Sequence, residues 1–444
     1  MTISRKERNH ANIVVIVECY SSAVNYIHDI RERGFKPVLL EFYLPYEKRE
    51  SERALNDKAY AFNNDPYPEV IMAKEHYDET LDMIQKLDPI LIIPGSDRGM
   101  ELALRLSSDL CLKSNPLSIL WQLRDKFAMQ KTLELAGIRS IRSRIVCSEE
   151  EAIDFYIKGH RSKVVLKPTQ GAASYNVFIC QSESEIRNAY LEIERYVRRR
   201  SRKKETVIIQ EYIDGEEYAV DTVSCKGKHA ALFGMKYLKR VCKGYGKIYD
   251  TDYYFSPDDP TVTEIIDYCF QVLSCLGVQY GCVHSEIMVD EKGPVLIEVN
   301  ARPAGVFQKY TFQDKVMKNH ETAVSLDSYF MDQNQFFDCY SERMHLKQPA
   351  VVKQICLDEA IFVKRVKITE RLSCLDSFDY AIENGENCIY PKTTDLDTNG
   401  GMIYLTSSDP ETIEKDLAEI LLLEKEGLQE LYDFEQVGSE QTTQ

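Results

Sequence analysis

The rhythm of apolar and polar positions changes several times along this chain, and each rhythm predicts an element. Residues 13–17 are an unbroken apolar run, a mixed stretch leads to Arg33, Gly34 interrupts, and residues 38–40 are apolar again. Strand, helix, glycine stop and strand in that order open a parallel α/β layer. A further buried strand is predicted at residues 89–93, ending in the turn Pro94-Gly95-Ser96-Asp97, with a helix from about Gly99. Over residues 116–136, Leu120, Leu123, Phe127, Leu133 and Ala136 keep helical spacing, and Gly137 is a natural stop. Short β segments then follow at residues 164–166, 176–180, 207–213 and 218–225, around one helix at 183–199. Residues 350–405 are strand-rich again. Residues 409–432 predict one long amphipathic helix with Ile413, Leu417, Ile420, Leu421 and Leu428 on or near one face. These changes divide the chain into an N-terminal α/β unit (12–115), a central unit with a linker helix (116–227) and a C-terminal unit (228–435). No repeat connects them.

Composition narrows the setting. A chain of 444 residues exceeds the ~100–200 of one simple core, so two or three packed units are expected. No apolar run approaches the ~20 residues of a membrane helix, and the polar N-terminus carries no signal core, so a cytoplasmic protein is expected. The thirteen cysteines form no CxxC pair, which argues against a zinc ribbon or a disulfide framework and fits a reducing compartment. A net charge of −16 repels nucleic acid and anionic membranes, and neither is expected as a partner. The basic run Arg198, Arg199, Arg200, Arg202, Lys203 and Lys204 reads as a solvated helix end and loop, with an anion patch as the alternative. The first strand is not followed by GxGxxG, so a nicotinamide or flavin phosphate loop is missing.

The most informative stretch is His284-Ser-Glu-Ile-Met-Val-Asp-Glu-Lys-Gly-Pro-Val-Leu-Ile-Glu-Val-Asn300. It reads as two strands around a turn at Glu291-Lys292-Gly293. With a three-residue loop, Asp290 pairs with Pro294, Met288 with Leu296, Glu286 with Glu298 and His284 with Asn300. Two carboxylates placed opposite one another on a sheet repel, so this pairing calls for a cation between them. Magnesium takes hard oxygen ligands and is usually held by one or two carboxylates with substrate phosphates, and Asn300 would add a neutral oxygen. A solvent-facing hairpin with two tolerated glutamates is the competing explanation.

Two further segments carry weaker signals. Val164-Val165-Leu166-Lys167-Pro168 ends a buried strand in a lysine, and the small-residue turn through Gly171 and Ser174 would offer backbone N–H groups to a polyphosphate. The run from Val207 through Gln210, Glu211 and Ile213 to Glu217 is an apolar strand entering a polar turn. Such a strand can present main-chain donors and acceptors to a base edge and a carboxylate to a ribose. A surface turn and a plain hairpin are the respective alternatives.

Taken in order, Asp125-Lys126, Val165-Leu166-Lys167-Pro168, Gln210-Glu211-Tyr212-Ile213-Asp214-Gly215-Glu216-Glu217-Tyr218, His284-Ser285-Glu286 and Ile297-Glu298-Val299-Asn300-Ala301-Arg302 resemble the ATP-grasp superfamily across residues 12–430. Within it the chain is most similar to bacterial L-amino-acid ligases of the alanine–anticapsin type, which form dipeptides. The resemblance implies a mixed α/β fold: a parallel preATP-grasp domain followed by a two-part ATP-grasp domain. It implies that Lys126 and Lys167 bind nucleotide phosphates, that Gly171 to Ser174 close over ATP, and that Gln210, Glu211 and Ile213 hold adenine with Glu217 on the ribose. Glu286, Glu298 and Asn300 would hold magnesium, with manganese a substitute, and Arg302 would steady the transferring phosphoryl group and the oxyanion. Asp252, Tyr253 and Tyr254 lie in a Gly- and Tyr-rich stretch, 244–255, where such enzymes contact substrate; a surface loop is the alternative. Many relatives follow Asn-x-Arg with a glycine pair, whereas this chain reads Pro303-Ala304-Gly305, a departure that bears on the acceptor site. The implied reaction joins a carboxylate to an amine, with amino acids as substrates, through an acyl phosphate. Relatives are often dimers, so a homodimer is compatible. Other ATP-grasp reactions, carboxylation or nucleotide-precursor synthesis, are the alternatives, as is an ATP-binding protein without turnover.

Overall fold

The computed structural model describes residues 12–42, 67–159, 162–170, 176–199, 206–242, 246–256, 259–305, 308–340, 343, 345–379, 387–394, 398–426 and 428–437. The first unit runs β1 (Ile13–Val17), α1 (Asn25–Glu32), β2 (Lys36–Glu41), β3 (Glu69–Met72), α2 (Tyr77–Leu87), β4 (Leu91–Pro94) and α3 (Met100–Asp109). Its four strands are parallel in the order β3-β2-β1-β4. Every residue of β1 is buried because helices cover both faces, which is why the strand reads as a continuous apolar run.

The helical rhythm predicted over residues 116–136 is broken. A 3₁₀ turn leads into α4 (Leu120–Arg124), and α5 (Lys126–Leu135) starts afresh after Asp125, whose backbone is extended at φ −103°, ψ 115°. Asp125 caps the new helix by accepting from the Ala128 amide at 2.9 Å. The apolar spacing survives the break because Leu123 and Phe127 still lie four apart. The break has a positional consequence: Lys126 opens α5, and its amide donates to the Thr169 carbonyl just beyond the Lys167 strand.

A four-stranded antiparallel sheet, β5-β8-β6-β7, follows, built from β5 (Ser143–Val146), β6 (Val164–Pro168), β7 (Phe178–Cys180) and β8 (Val207–Glu211). Helices α6 (Glu149–Lys158) and α7 (Glu183–Arg199) pack on one side of it through Ile153, Phe155, Ile186 and Ile193. The chain then passes to a second sheet between Glu211 and Glu216, inside the segment expected to form the central unit. At that passage Gly215 lies so close to the Val289 carbonyl that a Cβ would stand 2.3 Å from its oxygen.

The second sheet has eight strands in the order β13-β12-β9-β10-β11-β14-β18-β16. They are β9 (Glu216–Cys225), β10 (Lys228–Cys242), β11 (Gly246–Tyr254), β12 (Tyr280–Asp290), β13 (Gly293–Asn300), β14 (Ala350–Gln354), β16 (Leu375–Asp379) and β18 (Met402–Thr406). Helix α8 (Pro260–Leu276) fills one face together with α4 and α5, against Val220, Ile287, Leu296 and Val299. Between β13 and β14 come α9 (Tyr310–Val316), α10 (Glu321–Phe330) and α11 (Gln333–Cys339). A three-stranded sheet of β17 (Cys388–Tyr390), β15 (Ile361–Val366) and β19 (Tyr432–Gln436) closes the chain. The final helix, α12 (Pro410–Glu426), stops short of the predicted 432. Tyr432 instead starts β19, because its ring is buried against Tyr390 and its hydroxyl donates to the Gly400 carbonyl at 2.8 Å. Within the Gly- and Tyr-rich stretch, Gly246–Tyr254 form strand β11 rather than a loop.

Candidate active site

The hairpin of β12 and β13 reaches the expected pairing by a different route. Its loop has two residues, since Asp290 pairs with Gly293, Met288 with Val295 and Ile287 with Leu296. Continued unchanged, that register would set Glu286 against Ile297. A bulge at Ile297 inserts one residue, so Glu286 pairs with Glu298 and His284 with Asn300. Leu296, opposite Ile287, already faces the α8 core; the insertion turns Glu298 to the other face and brings Val299 into that core.

That other face is polar at its centre. Across the sheet, Glu298 and Glu286 continue through the small Ala219 to Met235 and Tyr254, and the neighbouring row runs Glu217, Tyr237, Asp252. Lys126 lies over this face, its ammonium 2.5 Å from Glu298, and both are only 9% exposed. Burial disfavours charge on Glu298, but Lys126 and Lys167 outweigh it and hold the carboxyl down to about 2. Burial and the facing Glu298 push Glu286 up to about 7. Lys167 is 6% exposed; burial and the nearby Lys126 lower it to about 8, against the pull of Glu298, Glu286 and Glu217. Two carboxylates in register, an amide oxygen on Asn300 and two buried ammonium groups form a donor set that suits a hard divalent cation with polyphosphate.

Several neighbours of this cluster carry no sequence signal. Lys239 on β10 pairs with Glu217 at 2.6 Å and lies 4.2 Å from the Tyr249 ring centre, adding a third ammonium to the face. His284 is held through Nδ1 by buried Asp221 at 3.0 Å, with Nε2 3.4 Å from the Tyr237 hydroxyl and 3.8 Å from Glu286. Burial opposes a charged ring, yet Asp221 carries it up to about 9. These partners come from strands distant in sequence, so only the topology brings them together.

Arg302 lies beyond the strand that carries Glu298 and Asn300. β13 ends at Asn300, whose carbonyl accepts the Arg302 amide at 2.8 Å, and the turned guanidinium binds Asp97 at 3.0 Å and the Pro303 carbonyl at 3.0 Å. It remains close enough for Glu286 and Glu298 to favour its charge after Asp97. Gln210 is buried in β8 with its side chain on the Ser143 hydroxyl, Glu211 accepts from the Arg142 amide, and Ile213 lies half-buried in the passage between the sheets. Asp252 and Tyr254 lie on the carboxylate side of β11. Tyr253 does not: alternation turns it toward Val351, Leu405 and the α12 core. Asp252 is buried, which raises it to about 7, and its Oδ1 has no hydrogen-bond partner among the described residues. Gly171 and Ser174 lie outside the described residues.

Comparison with known proteins bears on the fold and on the domain that holds these residues. Residues 160–309 match the ATP-grasp domain family. Dapdiamide A synthase of Enterobacter agglomerans is 25% identical over 424 residues, covering 93% of this chain and 96% of that protein. Among solved structures, an L-amino acid ligase from Bacillus licheniformis superposes with a TM-score of 0.69 at 14% identity, covering 94% of this chain and 98% of its own. An N5-carboxyaminoimidazole synthase from Aspergillus clavatus, crystallised with ADP and an aminoimidazole ribonucleotide, gives 0.68 at 11% identity, covering 94% and 100%. The family match places an ATP-grasp domain at residues 160–309, the segment that holds Lys167, Glu286, Glu298 and Asn300, and the chain is similar over nearly its whole length to ligases.

Proposed function

We propose that this chain is an ATP-grasp ligase that joins a carboxylate to an amine, that both substrates are amino acids, and that ATP activates the carboxylate as an acyl phosphate before the amine displaces phosphate. The observation that carries the reading is the in-register pair Glu286 and Glu298 beneath the ammonium groups of Lys126 and Lys167. In this reading Glu286, Glu298 and Asn300 hold magnesium, which when bound neutralises charge on the ATP phosphates. Lys126, Lys167 and Lys239 receive the phosphates. The main chain of Gln210, Glu211 and Ile213 receives adenine, Glu217 takes the ribose, and Arg302 faces the developing oxyanion. The buried Asp252 carboxylate, with one oxygen lacking a hydrogen-bond partner, suits a substrate ammonium group.

The likeness to dapdiamide A synthase and to the amino acid ligase favours amino acids; the likeness to the carboxyaminoimidazole synthase favours carboxylation. Phosphate release from ATP separates the two. Release that needs pooled amino acids and no bicarbonate supports the ligase, whereas a bicarbonate requirement sinks it. With ¹⁸O in the donor carboxylate, one label is expected in the released phosphate; label in AMP means adenylation and refutes the acyl phosphate.

A further inference from the structure

Behind the carboxylate face lies a cluster of four charges, with Lys353 buried at its centre and Arg240 at its partly exposed edge, that the proposed chemistry does not use. Lys353 on β14 is fully buried, with its ammonium 3.1 Å from Asp250 on β11 and 3.0 Å from Glu424 on α12, and it donates to the Gln354 carbonyl at 2.7 Å. Arg240 on β10 reaches the same two acids, at 2.5 Å through Nε to Asp250 and 2.9 Å to Glu424. Glu424 also accepts from the Cys356 amide at 3.3 Å. Burial raises the Asp250 carboxyl, but Lys353 and Arg240 outweigh it and hold it below the usual range. Buried ion pairs are weak reasons for stability, since apolar residues of similar volume often serve as well. The register supplies another reason.

Asp250 is the extra residue of a bulge. Leu238 pairs with Thr251 and Lys239 with Tyr249, which leaves Asp250 without a place in the ladder. In a regular ladder Asp250 would sit opposite Lys239 on the carboxylate face, and Tyr249 would point behind it. The bulge exchanges them: Tyr249 lies against Lys239, and Asp250 turns to the rear, where Lys353 and Arg240 receive it. An aspartate beside Lys239 would compete with Glu217 and with any anionic substrate for that ammonium group.

We infer that Lys353 and Glu424 are positioning residues that clamp the register of β11, keeping Asp250 behind the sheet so that Lys239 serves the nucleotide site. The inference rests on the reading of this face as that site. The double variant Lys353→Met/Glu424→Gln removes one charge of each sign and leaves Arg240 with Asp250. The expected result is a folded protein with a cooperative melt, a fall of at least tenfold in Mg–ATP affinity by calorimetry, and a similar fall in kcat/KM. Adding Asp250→Asn should restore most of the loss, because the competing acid is gone; a merely structural role gives no such rescue. If the double variant does not fold, Glu424→Gln alone takes the same measurements. Wild-type affinity and kcat/KM in a folded variant, or a loss that Asp250→Asn leaves in place, overturns the clamp alone. A wild-type protein that binds no Mg–ATP overturns the clamp and the site together.

Discussion

Replacing Lys167 by methionine should move two assays in opposite directions. The lysine is 6% exposed and its ammonium is depressed to about 8, first by burial and then by Lys126. Against an ordinary value near 10.5, that depression corresponds to roughly 3 kcal/mol. The sign follows from proton binding. Between pH 8 and 10.5 the unfolded chain holds more protons than the fold, so stability rises with pH through that window, and at pH 7 the charged lysine costs the ligand-free fold that amount. Lys167→Met keeps most of the apolar stem and deletes the charge, so the ligand-free variant should be as stable as the parent or more stable, by up to ~3 kcal/mol. ATP affinity should fall by ~1.5–3 kcal/mol, the worth of a charge-assisted hydrogen bond, or roughly 10- to 150-fold. Lys126→Met is the contrast. Its ammonium sits 2.5 Å from Glu298, so deleting it breaks a buried pair and should cost the fold ~3–5 kcal/mol. Denaturant unfolding with and without ATP, paired with calorimetry, reads both quantities. Unchanged ATP binding in Lys167→Met, or a ligand-free fold less stable than the parent, would refute the reasoning.

Glu298→Gln keeps the shape of the side chain and removes its charge, so turnover should vanish while circular dichroism stays native; a wild-type rate at saturating magnesium would place the metal elsewhere. Arg302→Ala should lower kcat by ~10²–10³ with a much smaller change in Mg–ATP affinity, as for loss of an oxyanion donor, and equal losses in both would make it a binding residue only. His320 bridges Asp29 on α1, at 2.7 Å, to Asp314 on α9, at 2.9 Å; burial opposes its charge, but the two acids raise it to about 9. A raised value stabilises the fold fully below pH ~6.5 and loses that contribution as pH rises through 9, at most ~3 kcal/mol, so His320→Gln should flatten the pH dependence of unfolding in that interval.

How much of this was legible in the sequence depends on the range of the interaction. Local patterns carried well: β1 read as a buried parallel strand because five apolar residues in a row require cover on both faces. They failed where a local rule met a tertiary demand. Leu123 and Phe127 kept helical spacing across Asp125, so periodicity alone ran through a break that the Asp125 cap and the Thr169 carbonyl impose. The helix predicted to 432 overran because Tyr432 is as apolar as a helix face requires, while the third sheet claims it as a strand.

At the site the same distinction is sharper. The facing of Glu286 and Glu298 was predicted from a three-residue loop, and the pairing holds although the loop does not, because the bulge at Ile297 supplies the missing residue. Burial demands the same end by either route: Ile287, Leu296 and Val299 must reach the α8 core, and any register that satisfies them turns Glu298 outward. Arg302 shows the limit of that logic. Strand alternation carried two residues beyond Asn300 would set Arg302 on the face of Glu298, but the strand ends at Asn300 and the turn that follows sends the guanidinium to Asp97 instead. Lys239 and Asp221 had no local signal at all. Each reaches the site because β9 and β10 lie between β12 and β11 in a sheet whose strand order departs from chain order, a fact of topology. One-residue insertions at Ile297 and at Asp250 therefore decide which way Glu298 and Asp250 face, and a change in either register would rearrange the charges more than the loss of one side chain.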